Sequence, residues 1–340
     1  MAKIVFDCGN GGHRWPWGGW CLTDGTALGG SETAVCMLAE TFAKREHHVV
    51  ILNNCTSMKN SGLIYENVHY IRYDTDCIPI INIDVLIGQR DINLLRERKA
   101  PIQIMYCHDV DHYPHTVRQE DIDNGIFDTI DSFAMLTPSQ AARHTLIPDD
   151  KKFICPIGID HKPFEVAESK NIERKPNRAI YFSQPGRGLH KLRELWLEVR
   201  KQIPNAELAS YWWNPDEFLP SDLANGILPM ERCDSYLLAE KISEANLLAM
   251  YSTFADECCP ATMLLAQRGG AVPIAIAHGG IRDTLHFGHG TDHNMFVTAL
   301  CNAFRDTSYT DNVRAEMVPW MKDNYKWEQV AEKWERHYNF

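Results

Sequence analysis

The sequence lacks the signatures that would name its chemistry at once. It has no C-x-x-C pair: the 11 cysteines are an odd number scattered through apolar segments, as at Cys36, Cys107 and Cys301, and Cys258 and Cys259 are adjacent. That pattern suits neither a zinc knuckle, a redox motif nor a disulfide framework, and it implies reduced core thiols. Neither the G-x-G-x-x-G of a dinucleotide fold nor the G-x-x-x-x-G-K-[ST] of a P-loop occurs, which disfavours a nicotinamide dehydrogenase or an NTPase. No apolar run approaches the roughly 18 residues of a membrane helix, and Met1 to Cys8 lacks the apolar stretch of a signal peptide. An intracellular, cytoplasmic protein with no transmembrane segment is expected. Basic residues are the minority, 34 Lys and Arg against 45 Asp and Glu, for a formal charge of −11. Broad binding to nucleic acid phosphates is disfavoured, though a local basic patch is not.

What is present is an ordinary globular composition. With 340 residues, 44% of them hydrophobic and 23% charged, the chain has material for two domains of about 150 residues each. Lys3 to Phe6 is a short β-branched run, followed by a glycine- and tryptophan-rich loop. In "LGGSETAVCMLAETFAKREHHVVIL" the residues Ala34, Val35, Leu38, Ala39 and Phe42 recur at helical spacing before a strand at His48 to Leu52. Further strands are predicted at Val68 to Tyr73, Asp84 to Ile87, Ile102 to Tyr106, Phe133 to Leu136 and Lys152 to Cys155. A polar stretch from Asp160 to Asn177 reads as a linker, after which the alternation restarts: strand Ala179 to Ser183, helix Leu189 to Gln202, strand Ala206 to Trp212, helix Leu237 to Ala245, strand Leu247 to Tyr251, helix Pro260 to Arg268, strand Ala271 to Ala277. The class is α/β, with two doubly wound, Rossmann-like domains at 1–160 and 178–318 facing across a cleft, and a C-terminal helix at 319–340 packing back on the first.

Three segments carry candidate chemistry. Gly29-Gly30-Ser31-Glu32 opens a helix, where glycines let a backbone approach an anion and free N–H groups can bind it; Ser31 as an N-cap with Glu32 offsetting the dipole is the plainer alternative. In "SQPGRGLHKL", Arg187 occupies a strand-to-helix turn between two glycines, placed to reach a diphosphate, with Lys191 one turn on as a surface residue or a further phosphate contact. Glu257 stands before Pro260, at the mouth of a short helix ending at Gly269-Gly270; it either compensates the helix dipole or faces a ligand there. His108 ends an apolar strand in "MYCHDVDHYPH". Asp74-Thr75-Asp76 and Asp109-Val110-Asp111 have the D-x-D spacing of a metal-bridging pair, but His112, His115 and most of these aspartates read as solvated loop residues, and no H-E-x-x-H is present.

In this order the segments resemble the retaining glycosyltransferases of family 4, which have the two-Rossmann GT-B fold. The resemblance is carried by "GGSETAV", "CHD", "CPIGIDHKPF", "YFSQPGRGL" and "DECCPATMLLAQRGGAVPIAIAHGG", and extends from Lys3 to "YKWEQVAEKWERHY". It implies a hexosyl- or pentosyltransferase that uses a nucleoside-diphosphate sugar, a UDP-sugar first, and needs no metal or other cofactor. Gly29 and Gly30 would then offer backbone to the donor diphosphate, His108 would contact the transferred sugar, and Arg187 would neutralise the phosphates. Glu257 would grip sugar hydroxyls as the first glutamate of the family's pair, beside Ala261 and Thr262 at the helix start. The second glutamate of that pair falls on Leu265, and the arginine some five residues before Arg187 is replaced in the region of Phe182 and Ser183, so ribose recognition is altered.

In that scheme Arg187, the Gly30 N–H and the helix N-terminus at Ala261 stabilise charge on the departing nucleoside diphosphate. With no carboxylate evident as a covalent nucleophile, the acceptor hydroxyl attacks from the leaving-group face. Trp15, Trp17 and Trp20, in a loop also containing His13 and Arg14, offer indoles for acceptor binding or form a satellite core anchoring the loop. The acceptor is a small molecule, glycan or protein-linked group; stacking on a hydroxymethylated DNA base is the alternative, and Leu265 keeps open a non-catalytic sugar-nucleotide-binding protein.

Overall fold

A computed structural model describes residues 1–9, 16–24, 28–55, 63–72, 82–110, 115–211, 218–231, 233–254 and 257–340. The chain forms two compact units, crossing from the first to the second at Gly158–Ile159 and returning at Lys326–Trp327.

The first unit is built on strands β1 (Lys3–Asp7), β2 (His48–Asn53), β3 (Leu63–Tyr65), β4 (Val68–Arg72), β5 (Val85–Gln89), β6 (Ile102–Tyr106), β7 (Ser132–Met135) and β8 (Lys152–Ile154). They form one eight-stranded sheet in the order β3-β4-β2-β1-β5-β6-β7-β8, parallel except for β3, which runs antiparallel to β4. Central strands such as β5 are buried along their whole length, which is why they read as apolar runs rather than alternating patterns. The helix Gly30–Lys44 follows β1 and buries Ala34, Val35, Leu38, Ala39 and Phe42. The last helix, Trp327–Tyr338, belongs to this unit and buries Trp327, Val330, Ala331 and Trp334, the spacing of one helical face. Trp334 meets Phe42, Tyr106 and Phe153 edge-on, and Arg45 pairs with Glu335 through two contacts of 2.6 Å.

The second unit carries β9 (Lys175–Tyr181), β10 (Glu207–Tyr211), β11 (Ile227–Met230), β12 (Ala245–Met250), β13 (Val272–Ile276) and β14 (His289–Thr291). All pair in parallel, in the order β11-β10-β9-β12-β13-β14. In each sheet the chain winds outward in one direction and then in the other, reversing beside β1 and β5 in one unit and beside β9 and β12 in the other. These are the switch points where open α/β sheets present ligand sites beyond the carboxyl ends of their strands.

Two sequence expectations change. The stretch from Asp160 to Asn177 is not a bare linker: it holds the helix Lys162–Ser169 and the start of β9, with Pro163 in the first helical turn and Phe164 and Ala167 buried. The strand expected from Ala179 to Ser183 accordingly begins earlier and stops at Tyr181. The described cysteines are free, and most are buried. No described helix is long and apolar enough to cross a membrane.

Candidate functional site

At the switch point of the second sheet, the chain leaves β9 and turns through Pro185–Arg187 into the helix Leu189–Gln202. The Arg187 N–H donates to the Gln184 carbonyl at 2.9 Å, and the Thr253 N–H donates to the Arg187 carbonyl at 3.0 Å, clamping this turn to the segment after β12. Gly188 has φ +139°, and a Cβ there would lie 2.1 Å from the Tyr251 carbonyl oxygen, so glycine is required by both conformation and space.

The clamp brings together the two residues singled out in sequence. Arg187 Nη1 lies 2.5 Å from Glu257 Oε2; the carboxylate side chain is 1% exposed and the guanidinium side chain 35%. The guanidinium also lies 5.0 Å from the centre of the Phe254 ring, a cation–π contact. Ser252 Oγ donates to Glu257 Oε1 at 3.5 Å, and the Gly280 N–H donates to the Glu257 carbonyl at 2.7 Å. A Cβ on Gly280 would fall 1.8 Å from the Cys258 carbonyl oxygen, so the Glu257 backbone seat depends on that glycine as well.

Just beyond, the helix Ala261–Arg268 starts at Pro260 without a side-chain cap. Its N-terminal backbone therefore presents positive potential with no capping oxygen of its own. Ala261, Thr262 and Leu265 are half-buried, and Thr262 Oγ1 makes a 3.9 Å contact with the Met250 sulfur. Lys191 lies apart on the exposed surface, paired to Glu194 at 2.7 Å.

The first sheet's switch point is organised differently. Gly29 is the N-cap of the helix Gly30–Lys44, and a Cβ on Gly30 would meet nothing within 4 Å among the described residues, so these leave the backbone there open to approach. Ser31 Oγ bonds Glu32 Oε1 at 2.9 Å and Gln89 Nε2 donates to the Ser31 carbonyl at 3.0 Å. Arg90, directly after β5, has φ +61° and donates from Nε to Asp109 Oδ2 at 2.8 Å and from Nη1 to Ser31 Oγ at 3.2 Å.

His108 sits at the end of β6, its ring 4.2 Å from that of Tyr106. Its Nε2 is buried with no hydrogen-bond partner among the described residues. Burial, reinforced by the positive charge of Arg90, pushes its pKa down to about 4, against the opposing pull of Asp109 and Glu32. Burial works to raise the Asp109 pKa, but the close contact with His115, 3.3 Å away, and the charge of Arg90 outweigh it and hold the carboxyl well below its usual range. Below the turn, Gln140 Nε2 donates to the Cys107 and Asp109 carbonyls at 3.1 and 3.3 Å, and His144 Nε2 lies 3.1 Å from the Asp109 carbonyl.

Several assignments shift. Asp109 and His115 are not solvated loop residues: they pair at 3.3 Å inside the Arg90 cluster. Trp17, 1% exposed, is core and presents no face for stacking, while Trp20 packs edge-on against Tyr65 and Tyr70. The satellite-core alternative is thus the one that the structure gives for Trp17. Trp15, His13, Arg14, Asp74, Asp76, Asp111 and His112 lie outside the described residues. Among the described residues no three His, Cys, Asp or Glu side chains group closely enough to hold a metal ion. Sequence reading missed Arg90, Gln140, His144, Ser252 and Phe254; Arg90 alone left a signal, an arginine directly after an apolar strand in "VLIGQRD".

No family model matches the sequence, and no curated protein matches it. Solved structures do. A sucrose-phosphate synthase from Thermosynechococcus elongatus is 15% identical with a TM-score of 0.73, over 100% of this chain and 98% of that one. HepE from Anabaena, in complex with UDP, is 10% identical with a TM-score of 0.69, over 99% of both chains. WaaG, a glycosyltransferase involved in lipopolysaccharide biosynthesis, is 14% identical with a TM-score of 0.66, over 97% of this chain and 98% of that one. With its two doubly wound units, the chain has the GT-B fold of these glycosyltransferases.

Proposed function

We propose that this chain is a retaining, metal-independent glycosyltransferase of the family 4 type, taking a sugar from a nucleoside-diphosphate sugar to an acceptor hydroxyl. One observation carries the reading above the others: Arg187 and Glu257, from turns after two adjacent strands, meet at the switch point beside an uncapped helix N-terminus. A guanidinium, a buried carboxylate and free backbone donors are the complement of a glycosyl diphosphate, whose phosphates are anionic and whose sugar is a set of hydroxyls.

In the ligand-free chain Arg187 and Glu257 neutralise each other. A bound diphosphate competes for the guanidinium, which frees Glu257 to accept from sugar hydroxyls. Negative charge then develops on the departing diphosphate, and Arg187 and the helix start at Ala261 and Thr262 stabilise it. His108, neutral with a bare Nε2, is suited to accept a hydrogen bond from a hydroxyl of the transferred sugar. The acceptor hydroxyl attacks from the leaving-group face, giving retention. Leu265 offers an apolar surface where a second glutamate would hold ribose, so ribose is recognised by other means.

A UDP-sugar is the first donor to try, since HepE has been solved with UDP and with UDP-glucose. The acceptor belongs to a small molecule, glycan or protein; the DNA-base alternative loses a stacking platform at the buried Trp17. The test is release of nucleoside diphosphate from a panel of nucleotide sugars, with and without candidate acceptors and with chelator present. The reading expects acceptor-stimulated release and an unchanged anomeric configuration in the product by proton NMR. Binding of nucleotide sugars without release from any donor would leave a binding protein; loss of turnover in chelator, restored by magnesium or manganese, would overturn metal independence.

A further inference from the structure

Arg90 takes no part in the scheme above, yet its setting is unusual. It is a non-glycine residue at φ +61°, a conformation that persists only where the surroundings enforce it. Its backbone N–H donates to the Tyr106 carbonyl at 3.2 Å, which joins the ends of β5 and β6. The side chain then reaches three groups: Asp109 Oδ2 at 2.8 Å, Ser31 Oγ at 3.2 Å and Glu32 Oε1 at 3.5 Å. One residue thereby ties the turn carrying His108 to the first turn of the helix that begins at Gly30.

The His108 turn is gripped from both sides. Gln140 and His144 hold its carbonyls, while Arg90 and His115 hold the Asp109 side chain. Between these anchors the imidazole has a fixed direction, with the Tyr106 ring against it and Nε2 unpartnered among the described residues. The charged groups that face it are Arg90 on one side of the balance and Asp109 and Glu32 on the other, with the titratable His115 also close by. Burial is the largest cause of the lowered His108 pKa and would persist without Arg90; taking Arg90 away would remove the charge that adds to it, leave Asp109 and Glu32 less opposed, and make the imidazolium easier to form.

We propose that Arg90 is a positioning residue with two separable tasks: its fork orients the His108 turn against the helix start, and its charge adds to burial in disfavouring the protonated ring, so that Nε2 can accept a hydrogen bond. The proposal rests on the reading of His108 as the group that meets the transferred sugar. Lysine would supply the charge but not the fork, because a single ammonium cannot reproduce the planar arrangement of donors toward Asp109 and Ser31.

The test uses the whole chain, labelled with nitrogen-15. The His108 ring signals are assigned by their loss in His108→Gln and followed against pH. In the unaltered chain they titrate far below the ordinary histidine range. Arg90→Gln is expected to raise the midpoint, to move the acid limb of kcat/KM upward with it, and to lower kcat more than it changes the donor KM. Arg90→Lys is expected to keep the low midpoint and still lose kcat, several-fold, at nearly constant KM. An unchanged midpoint in Arg90→Gln, or wild-type kcat in Arg90→Lys, overturns the proposal. Should Arg90→Gln fail to fold, Arg90→Lys decides alone: reduced kcat with the low midpoint supports the proposal, and unaltered kcat overturns it. If no donor turns over in the unaltered chain, the functional reading fails, while the ring titration still decides whether Arg90 holds His108 neutral.

Discussion

Arg90 follows β5 in one sheet and Arg187 follows β9 in the other, each at the place where the winding of its sheet reverses. Both meet carboxylates, and there the likeness ends. Arg90 is spread over Asp109, Ser31 and Glu32, beside an imidazole whose Nε2 has no partner among the described residues, so its contacts serve to hold other groups in place. Among the described residues Arg187 has one ionic partner, a carboxylate 1% exposed, while its own side chain remains 35% open to solvent. A pair in which one partner is sealed and the other accessible is suited to exchange: an incoming anion can take the arginine without first reaching the glutamate. On the proposed reading, the same residue types at equivalent places in two similar sheets are suited to different work, scaffold in one and ligand exchange in the other.

The first way to break this comparison is to damage the seat of the exchangeable pair. Gly188→Ala meets both the +139° backbone and the Tyr251 carbonyl, and is expected to destabilise the protein by more than about 2 kcal/mol, read as a lowered denaturation midpoint. A melting temperature within a degree of the parent would show that the clamp between the turns after β9 and β12 is not needed.

The pair itself is asymmetric, which gives the next test. Arg187→Ala leaves the sealed carboxylate of Glu257 without its cation and is expected to cost about 1–2 kcal/mol of stability, reduced from the fully buried case because the guanidinium is part-exposed. Glu257→Gln leaves only a solvent-accessible guanidinium and is expected to cost less. In turnover the order reverses under the proposed function: if Glu257 grips sugar hydroxyls more strongly in the transition state than in the ground state, Glu257→Gln should lower kcat more than it raises the donor KM. Equal stability losses, or normal turnover in Glu257→Gln, would reduce the pair to a structural salt bridge. Adding Arg187→Ala to Glu257→Gln completes a double-mutant cycle that isolates their coupling.

A smaller effect comes from pH. The His108 pKa is pushed from its ordinary 6.5 down to about 4, and burial likewise lowers His144, His161 and His286. In these groups the unfolded chain binds protons more readily than the folded one, so they leave stability intact above about pH 6.5 and erode it as pH falls through the folded pKa. Denaturation midpoints measured from pH 7 to pH 4 should fall, and fall less steeply in His108→Gln. The smallest effect is expected at Lys191, whose exposed pair with Glu194 should leave the melting temperature of Lys191→Ala unchanged. A marked loss of donor affinity in that variant would place Lys191 with the phosphates.

How much of this was legible in the sequence follows from where the signal comes from. Parallel strands buried on both faces left apolar runs, and the helix Leu189–Gln202 left its period in Leu192, Trp196 and Val199. Three of the four edge strands, β3, β11 and β14, are three or four residues long and partly exposed, and their sequences carry no comparable pattern. The helix Lys162–Ser169 was hidden in a charged stretch because only Pro163, Phe164 and Ala167 of it are buried. In the candidate site, Gly188, Arg187 and Glu257 stood out through residue type and neighbours. That Arg187 and Glu257 touch was not legible, since 70 residues separate them. Arg90 and His115 escaped for a related reason: their roles come from through-space contacts with Asp109 that no local spacing records.

The central claim is that Arg187 exchanges Glu257 for the phosphates of a donor. Its most direct measurement is calorimetric titration of UDP, alongside the other nucleoside diphosphates, into the unaltered chain and into Arg187→Ala. The account predicts saturable binding that the substitution weakens by roughly 1.5–3 kcal/mol, the scale of a charge-assisted hydrogen bond, with the fold preserved. Equal affinity in the two proteins, or no binding of any nucleoside diphosphate to the unaltered chain, would contradict it.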